Sequence, residues 1–108
     1  MDIADWRDRI DEIDRQLVVL LNERAKCSLN IGKLKRQMNL PIYDPHRESI
    51  VLQQVMDLNR GPLTADAVKR LFERIIDENR RLERIYGAVG HGGELHHIVS
   101  RPHGCWRW

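Results

Sequence analysis

The sequence predicts an all-α fold, and three observations point there. Apolar residues recur at steps of three and four along most of the chain. Two short stretches, "NLPIYDP" and "NRGPL", cut that pattern into three segments, and no segment competes as a strand. Composition agrees: with 31% charged and 6% aromatic residues, the chain has the profile of a charged-surface helical protein. At 108 residues it holds one domain at most, with a thin margin for burying a core alone.

The first helix is expected from about Ile3 to Met38, where no Pro or turn dipeptide intervenes. Ile10, Ile13, Leu17, Leu20, Cys27, Ile31 and Leu34 supply its apolar stripe. Gly32 costs about 1 kcal/mol relative to Ala at an exposed helical position, which is too little to end the helix. A second helix is expected from Pro45 to about Asn59, with Asp44 as N-cap and Pro45 as the first helical residue. It carries Ile50, Val51, Val55 and Leu58. Thr64 can cap a third helix that reaches about Tyr86, with Gly87 as its stop. That helix is expected to turn Leu71, Phe72, Ile75, Ile76, Leu82 and Tyr86 inward.

The length of the first helix is unusual. About 35 residues at 1.5 Å each span roughly 50 Å, against a usual helix of about 11–12 residues. Two shorter helices cannot cover such a stripe in a compact monomer. A second copy in a two-fold homodimer is the simplest cover, giving an intertwined helical bundle. The alternative is a kink near Gly32 and a chain that folds alone.

Polar residues interrupt the packing faces of all three helices. Arg24, Ser28, Ile31 and Lys35 share one line, since eleven residues at about 100° each return Lys35 to within about 20° of Arg24. In the second helix Arg47 lies four residues before Val51, with Glu48 beside it, and in the third Asn79 and Glu83 continue the stripe of Phe72 and Ile76. Each of these residues taken singly is open to a bland reading, because Arg and Lys snorkel along apolar surfaces and surface pairs are common. Their coincidence on three helices points instead to a polar pocket inside a bundle. Cations cannot be buried unpaired, so such a pocket suits a compact polyanion. Arg7 lies 17 residues before Arg24, roughly 26 Å along the axis and about 100° around it. Within one straight helix these two cannot reach one small ligand, so Arg7 joins the site only from a partner chain. There is no Ser/His/Asp set, no metal-spaced His or Cys pair in the helices and no Gly-rich phosphate loop. Any reaction would have to work by positioning and electrostatics.

The stretches "WRDRIDEID", "LLNERAKCSLNIGKLK", "PIYDPHRE" and "LFERIIDENRRLE", in this order and at these separations, resemble the all-helical (AroQ-type) chorismate mutases over about Asp5 to Tyr86. The resemblance implies an intertwined homodimer of three-helix chains. It also implies the Claisen rearrangement of chorismate to prephenate, on the route to phenylalanine and tyrosine, without metal or cofactor. By the resemblance, Arg7 is lent by the partner chain, and Arg24 and Arg47 are the two in-chain arginines that, with it, serve the substrate carboxylates. Lys35 donates to the ether oxygen. Glu48 accepts from the substrate hydroxyl, and Asp44 helps to orient it besides capping its helix. Asn79 stands where the family often has a small polar residue contacting a carboxylate. Glu83 is a departure, because bacterial members often carry Gln there as a neutral donor to the ether oxygen. A carboxylate cannot donate. Burial would raise its pKa and Lys35 would lower it, so only the protonated acid would serve. A pairing of Glu83 with Arg80 or another surface cation, away from substrate, is the alternative.

The helical domain is expected to occupy residues 1–87 and a flexible C-terminal extension residues 88–108. His91, His96, His97, His103 and Cys105 in that extension match no standard zinc spacing, and no metal is expected. Two cysteines make no disulfide framework, the N-terminus is charged from its second residue, and no apolar run approaches the roughly 20 residues that span a bilayer. A cytoplasmic protein without membrane contact is expected. The net charge of +2, spread among acids, gives no nucleic-acid footprint. Two rival functions share the scaffold. One is an isochorismate-pyruvate lyase, against which the complete "YDPHRE" turn and the Arg24/Lys35/Arg47 set argue. The other is a regulatory module that binds without turnover, docking onto another aromatic-pathway enzyme such as a DAHP synthase.

Overall fold

The structure, a computed structural model, describes residues 1–89, with side chains through residue 86. It consists of α1 (Ile3–Gln37), α2 (Pro45–Leu58) and α3 (Ala65–Val89), with no strand among the described residues. The helix ends follow their local chemistry. Asp2 and Asp5 form a reciprocal capping box, Asp5 N donating to Asp2 Oδ1 at 2.9 Å and Asp2 N to Asp5 Oδ2 at 3.0 Å. At the far end of α1, Asn39 takes a left-handed φ of 57°. Its N–H reaches Arg36 O at 3.2 Å and the Leu40 N–H reaches Lys35 O at 2.7 Å, which is the Schellman pattern. Asp44 caps α2 by accepting from Arg47 N at 3.1 Å, with Pro45 in the first turn, and Thr64 Oγ1 caps α3 by accepting from Ala67 N at 3.0 Å.

One expected terminus is wrong. Gly87 does not stop α3, which continues through it to Val89. A glycine ends a helix only when it adopts the left-handed conformation, and otherwise it costs about 1 kcal/mol within one. Helix α3 thus runs two residues past Gly87. The rest of the extension, with His91, His96, His97, His103 and Cys105, lies outside the described residues.

Gly32 does not break α1, and the reason lies in α3. A Cβ on Gly32 would stand 3.2 Å from Glu83 Cγ, so the missing side chain leaves room for the Glu83 side chain against α1. The intrachain face of α1 is carried by Leu29, only 5% exposed, with Gly32 buried and Ala25 half-buried. Leu29 lies about 160° around the helix from Ile31, so this face is offset from the expected stripe. The chief helix contacts are α1 with α3 and α2 with α3. Ile76 of α3 is buried, and Phe72, Ile75, Leu82 and Tyr86 are half-buried as expected. Leu71 is not turned inward; it is 55% exposed, because the inner face of α3 follows Phe72, Ile76, Asn79 and Glu83.

The stripe itself stays open. Trp6, Ile10, Ile13, Leu17, Leu20, Leu21, Ile31 and Leu34 are all exposed. The Cα trace of the chain measures 53 × 34 × 16 Å, much thinner in one direction than in the other two. Its radius of gyration is 16.6 Å, against about 12–13 Å for a compact chain of this length. One copy is a slab with a lined inner face, and its buried apolar core is a narrow seam.

Candidate active site

The cavity in that slab sits where the C-terminal half of α1, the first turns of α2 and the middle of α3 converge. It has a volume of about 290 Å³, near the small end of ligand pockets. From α1 come Arg24, Cys27, Ser28, Ile31 and Lys35; from the link and α2, Ile42, Asp44, Arg47, Glu48 and Val51; from α3, Ile76, Asn79, Arg80 and Glu83. Every in-chain site residue expected from the sequence is in this set. Arg7 is not, and it lies exposed on the N-terminal half of α1, as the distance along the helix requires.

Asn79 is the polar hub on the α1 side. Its Oδ1 accepts from Arg24 Nη1 and from Ser28 Oγ at 3.3 Å, and the residue is only 8% exposed. An amide has two acceptor lone pairs and two N–H donors, so this leaves the donors for a bound acceptor. Arg24 is fixed by that contact on a half-buried helix face. Burial first, and then the neighbouring Arg47 guanidinium, push its pKa below the usual arginine value, with the Cys27 thiol opposing. Arginine stays protonated regardless, so the shift means that this corner favours an anion. At the other end, Lys35 Nζ donates to Ile42 O at 3.1 Å. The Schellman turn brings that carbonyl back onto the helix. An ammonium has three donors, and one such bond aims the head without exhausting it.

Glu83 faces Lys35 from α3 and is only 9% exposed. Burial raises its pKa above the ordinary glutamate value, against the lowering effects of Lys35 and Arg80, and Glu48 adds to the rise. Among the described residues its carboxyl has no hydrogen-bond or ion-pair partner. A buried carboxylate without a partner is costly, and protonation relieves it. The alternative in which Glu83 pairs with Arg80 is not what forms. Arg80 goes to Glu48 Oε2 and to Asp77 Oδ1, each at 2.5 Å.

Two features of the cavity were not legible beforehand. Arg80 is one of three arginines in the run "NRRLER", and nothing local marks it as the inward one. The Ile42 carbonyl is backbone, which no residue type announces.

Comparison with known proteins covers the same three helices. A sequence model for chorismate mutase type II matches residues 6–84. The chain belongs to the type II chorismate mutases. It is 44% identical to a bifunctional chorismate mutase/prephenate dehydratase of Neisseria gonorrhoeae, over 89% of this chain and 30% of that protein. It is 28% identical to a chorismate mutase of Methanocaldococcus jannaschii, over 78% of this chain and 86% of that protein. Among solved structures, a chorismate mutase from Thermus thermophilus superposes with a TM-score of 0.75 at 33% identity, covering 76% of this chain and 93% of that one. The chain spans less than a third of the length of the bifunctional relatives matched at 44% and 40% identity.

Proposed function

We propose that the protein is a chorismate mutase that rearranges chorismate to prephenate in a cavity shared by two copies of the chain. The observation that carries this reading is the convergence of Arg24, Lys35, Arg47, Glu48, Asn79 and Glu83 on one small cavity. The cavity's charge supports it. With Glu83 protonated, the cations Arg24, Lys35, Arg47 and Arg80 outnumber the carboxylates Asp44 and Glu48 by two, the complement of a dicarboxylate.

The rearrangement is unimolecular. The ether C–O bond breaks as a new C–C bond forms, with no proton or electron exchanged with the protein. Arg24 and Arg47, with Arg7 of the second copy, hold the carboxylates, and Asn79 adds an amide donor. Glu48 accepts from the ring hydroxyl, with Asp44 beside it. Lys35 and the protonated Glu83 donate to the ether oxygen. That oxygen gains negative charge as its bond breaks, so both contacts strengthen in the transition state. Holding the substrate in its reactive fold supplies the rest.

Supporting the second copy is the open stripe from Trp6 to Leu21, a continuous apolar face on a helix of 35 residues. A partner in two-fold relation covers that face and brings its Arg7 to the cavity.

The test is incubation with chorismate while the loss of its absorbance is followed, with Lys35→Ala in parallel. Native protein is expected to yield prephenate, and the variant to lose on the order of 10²–10³ in kcat. Retained activity in Lys35→Ala overturns the assigned mechanism. Release of pyruvate from isochorismate with chorismate untouched would make the protein a lyase. Thermal stabilisation by chorismate without turnover would make it a binding module.

A further inference from the structure

Arg80 lines the cavity, yet its guanidinium is engaged on three sides by protein. Nη1 donates to Glu48 Oε2 at 2.5 Å, Nη2 donates to Asp77 Oδ1 at 2.5 Å, and the guanidinium carbon lies 4.7 Å from the centroid of the Tyr43 ring. Asp77 is on the same helix, three residues earlier, while Glu48 belongs to the first turn of α2 and Tyr43 to the link before it. The pair is partly shielded from water, with 19% of the Arg80 side chain and 25% of that of Glu48 exposed. Arg80 thus ties α3 to the turn that carries Asp44, Arg47 and Glu48. Asp77 and Tyr43 fix the guanidinium, and the guanidinium fixes Glu48.

We infer that Arg80 is a positioning residue that acts through Glu48, locking its carboxylate in the orientation that receives the substrate hydroxyl, without touching substrate itself. A carboxylate left alone on a helix's first turn turns freely about its side-chain bonds. One clamped by a charge-assisted hydrogen bond keeps one oxygen engaged and the other available. Lysine could not do the same work. An ammonium has no planar fork to serve two carboxylates and no flat face to stack on Tyr43. The inference rests on the reading of the cavity as a chorismate site.

A double-mutant cycle tests it, using Arg80→Met, Arg80→Lys, Glu48→Gln and each Arg80 change combined with Glu48→Gln. Arg80→Met is expected to lower kcat/KM on the order of tenfold. The loss should divide between kcat and KM in the same proportion as for Glu48→Gln, and Arg80→Lys should recover part of it. In the Glu48→Gln background, Arg80→Met should cost less than about twofold more. Equal losses in both backgrounds would overturn the inference, because Arg80 would then act independently of Glu48. So would a fall in kcat alone beside a Glu48→Gln effect on KM, the mark of fewer folded molecules. If Arg80→Met does not fold, Arg80→Lys completes the cycle. If native protein leaves chorismate unchanged, the reading of the cavity fails. The orienting role then falls with it, and the Arg80–Glu48 clamp alone is decided by melting temperatures of the same chains at one protein concentration, without substrate. Non-additive losses support the clamp, and additive losses sink it.

Discussion

The two halves of α1 obey the same periodicity and meet different fates. From Ile3 to Leu21 the helix displays its apolar residues to the surroundings, with Trp6 56% and Leu20 59% exposed. From Arg24 to Lys35 it packs on α3 through Leu29 and Gly32 and builds one wall of the cavity. Isolated helices of that first half's length are marginal in water, and propensity alone does not hold them. What the comparison teaches is that apolar spacing reports that a face will be covered, but not by which chain. The half that lines the cavity is supported from within; the half that carries Arg7 leaves its apolar face open.

The most severe way to break this contrast is a charge on the open half. Leu17→Lys is expected to abolish assembly and activity together, because an unpaired ammonium in an apolar interface costs several kcal/mol. Sedimentation equilibrium beside the chorismate assay measures both, and a fully active monomer would refute the shared cavity. Next comes complementation. Arg7→Ala and Lys35→Ala chains should each be nearly inactive. Refolded together in equal amounts, half of the dimers would be mixed and each of these would hold one intact site, restoring about a quarter of native activity. No recovery on mixing would place Arg7 outside the partner's cavity.

Glu83 sharpens the contrast from α3, which packs against the supported half. Its pKa is raised, so the folded chain binds this proton more tightly than the unfolded one. The associated stability is present below the ordinary glutamate value and is lost as pH rises through the raised one. Activity should follow the protonated form, falling about tenfold per pH unit above that value. Glu83→Gln should flatten both profiles between about pH 4 and 9. Superimposable kcat/KM profiles for the two proteins would reject the role. The smallest effect is expected from Gly32→Ala. Helix propensity favours alanine by up to about 1 kcal/mol, so the melting temperature should barely change. The new methyl, 3.2 Å from Glu83 Cγ, should displace that side chain and lower kcat/KM severalfold. Unchanged kinetics would mean that Glu83 has room to spare.

Much of this was legible in the residues. The caps at Asp44 and Thr64 and the period of α1 determined the three helices. The polar interruptions at Arg24, Lys35, Arg47, Glu48, Asn79 and Glu83 pointed to the cavity because buried charge is costly enough to require a reason. The face that joins α1 to α3 was not legible. It is made by Ala25, Leu29 and Gly32, and periodicity gives weight to large apolar side chains, whereas close approach depends on small ones. Arg80 was hidden for another reason. Its partners Glu48 and Tyr43 come from elsewhere in the chain, and a charge chooses its direction only after the helices have packed. The end of α3 was misjudged because Gly87 permits a stop without compelling one.

A slab 16 Å thick has no inside deep enough to hide a whole apolar stripe. If a sister molecule hides it, folding becomes a second-order event, and the melting temperature climbs with the amount of protein present. Expression level would then set how many molecules are intact at all, so that a dilute cell loses folded molecules more steeply than it loses chains.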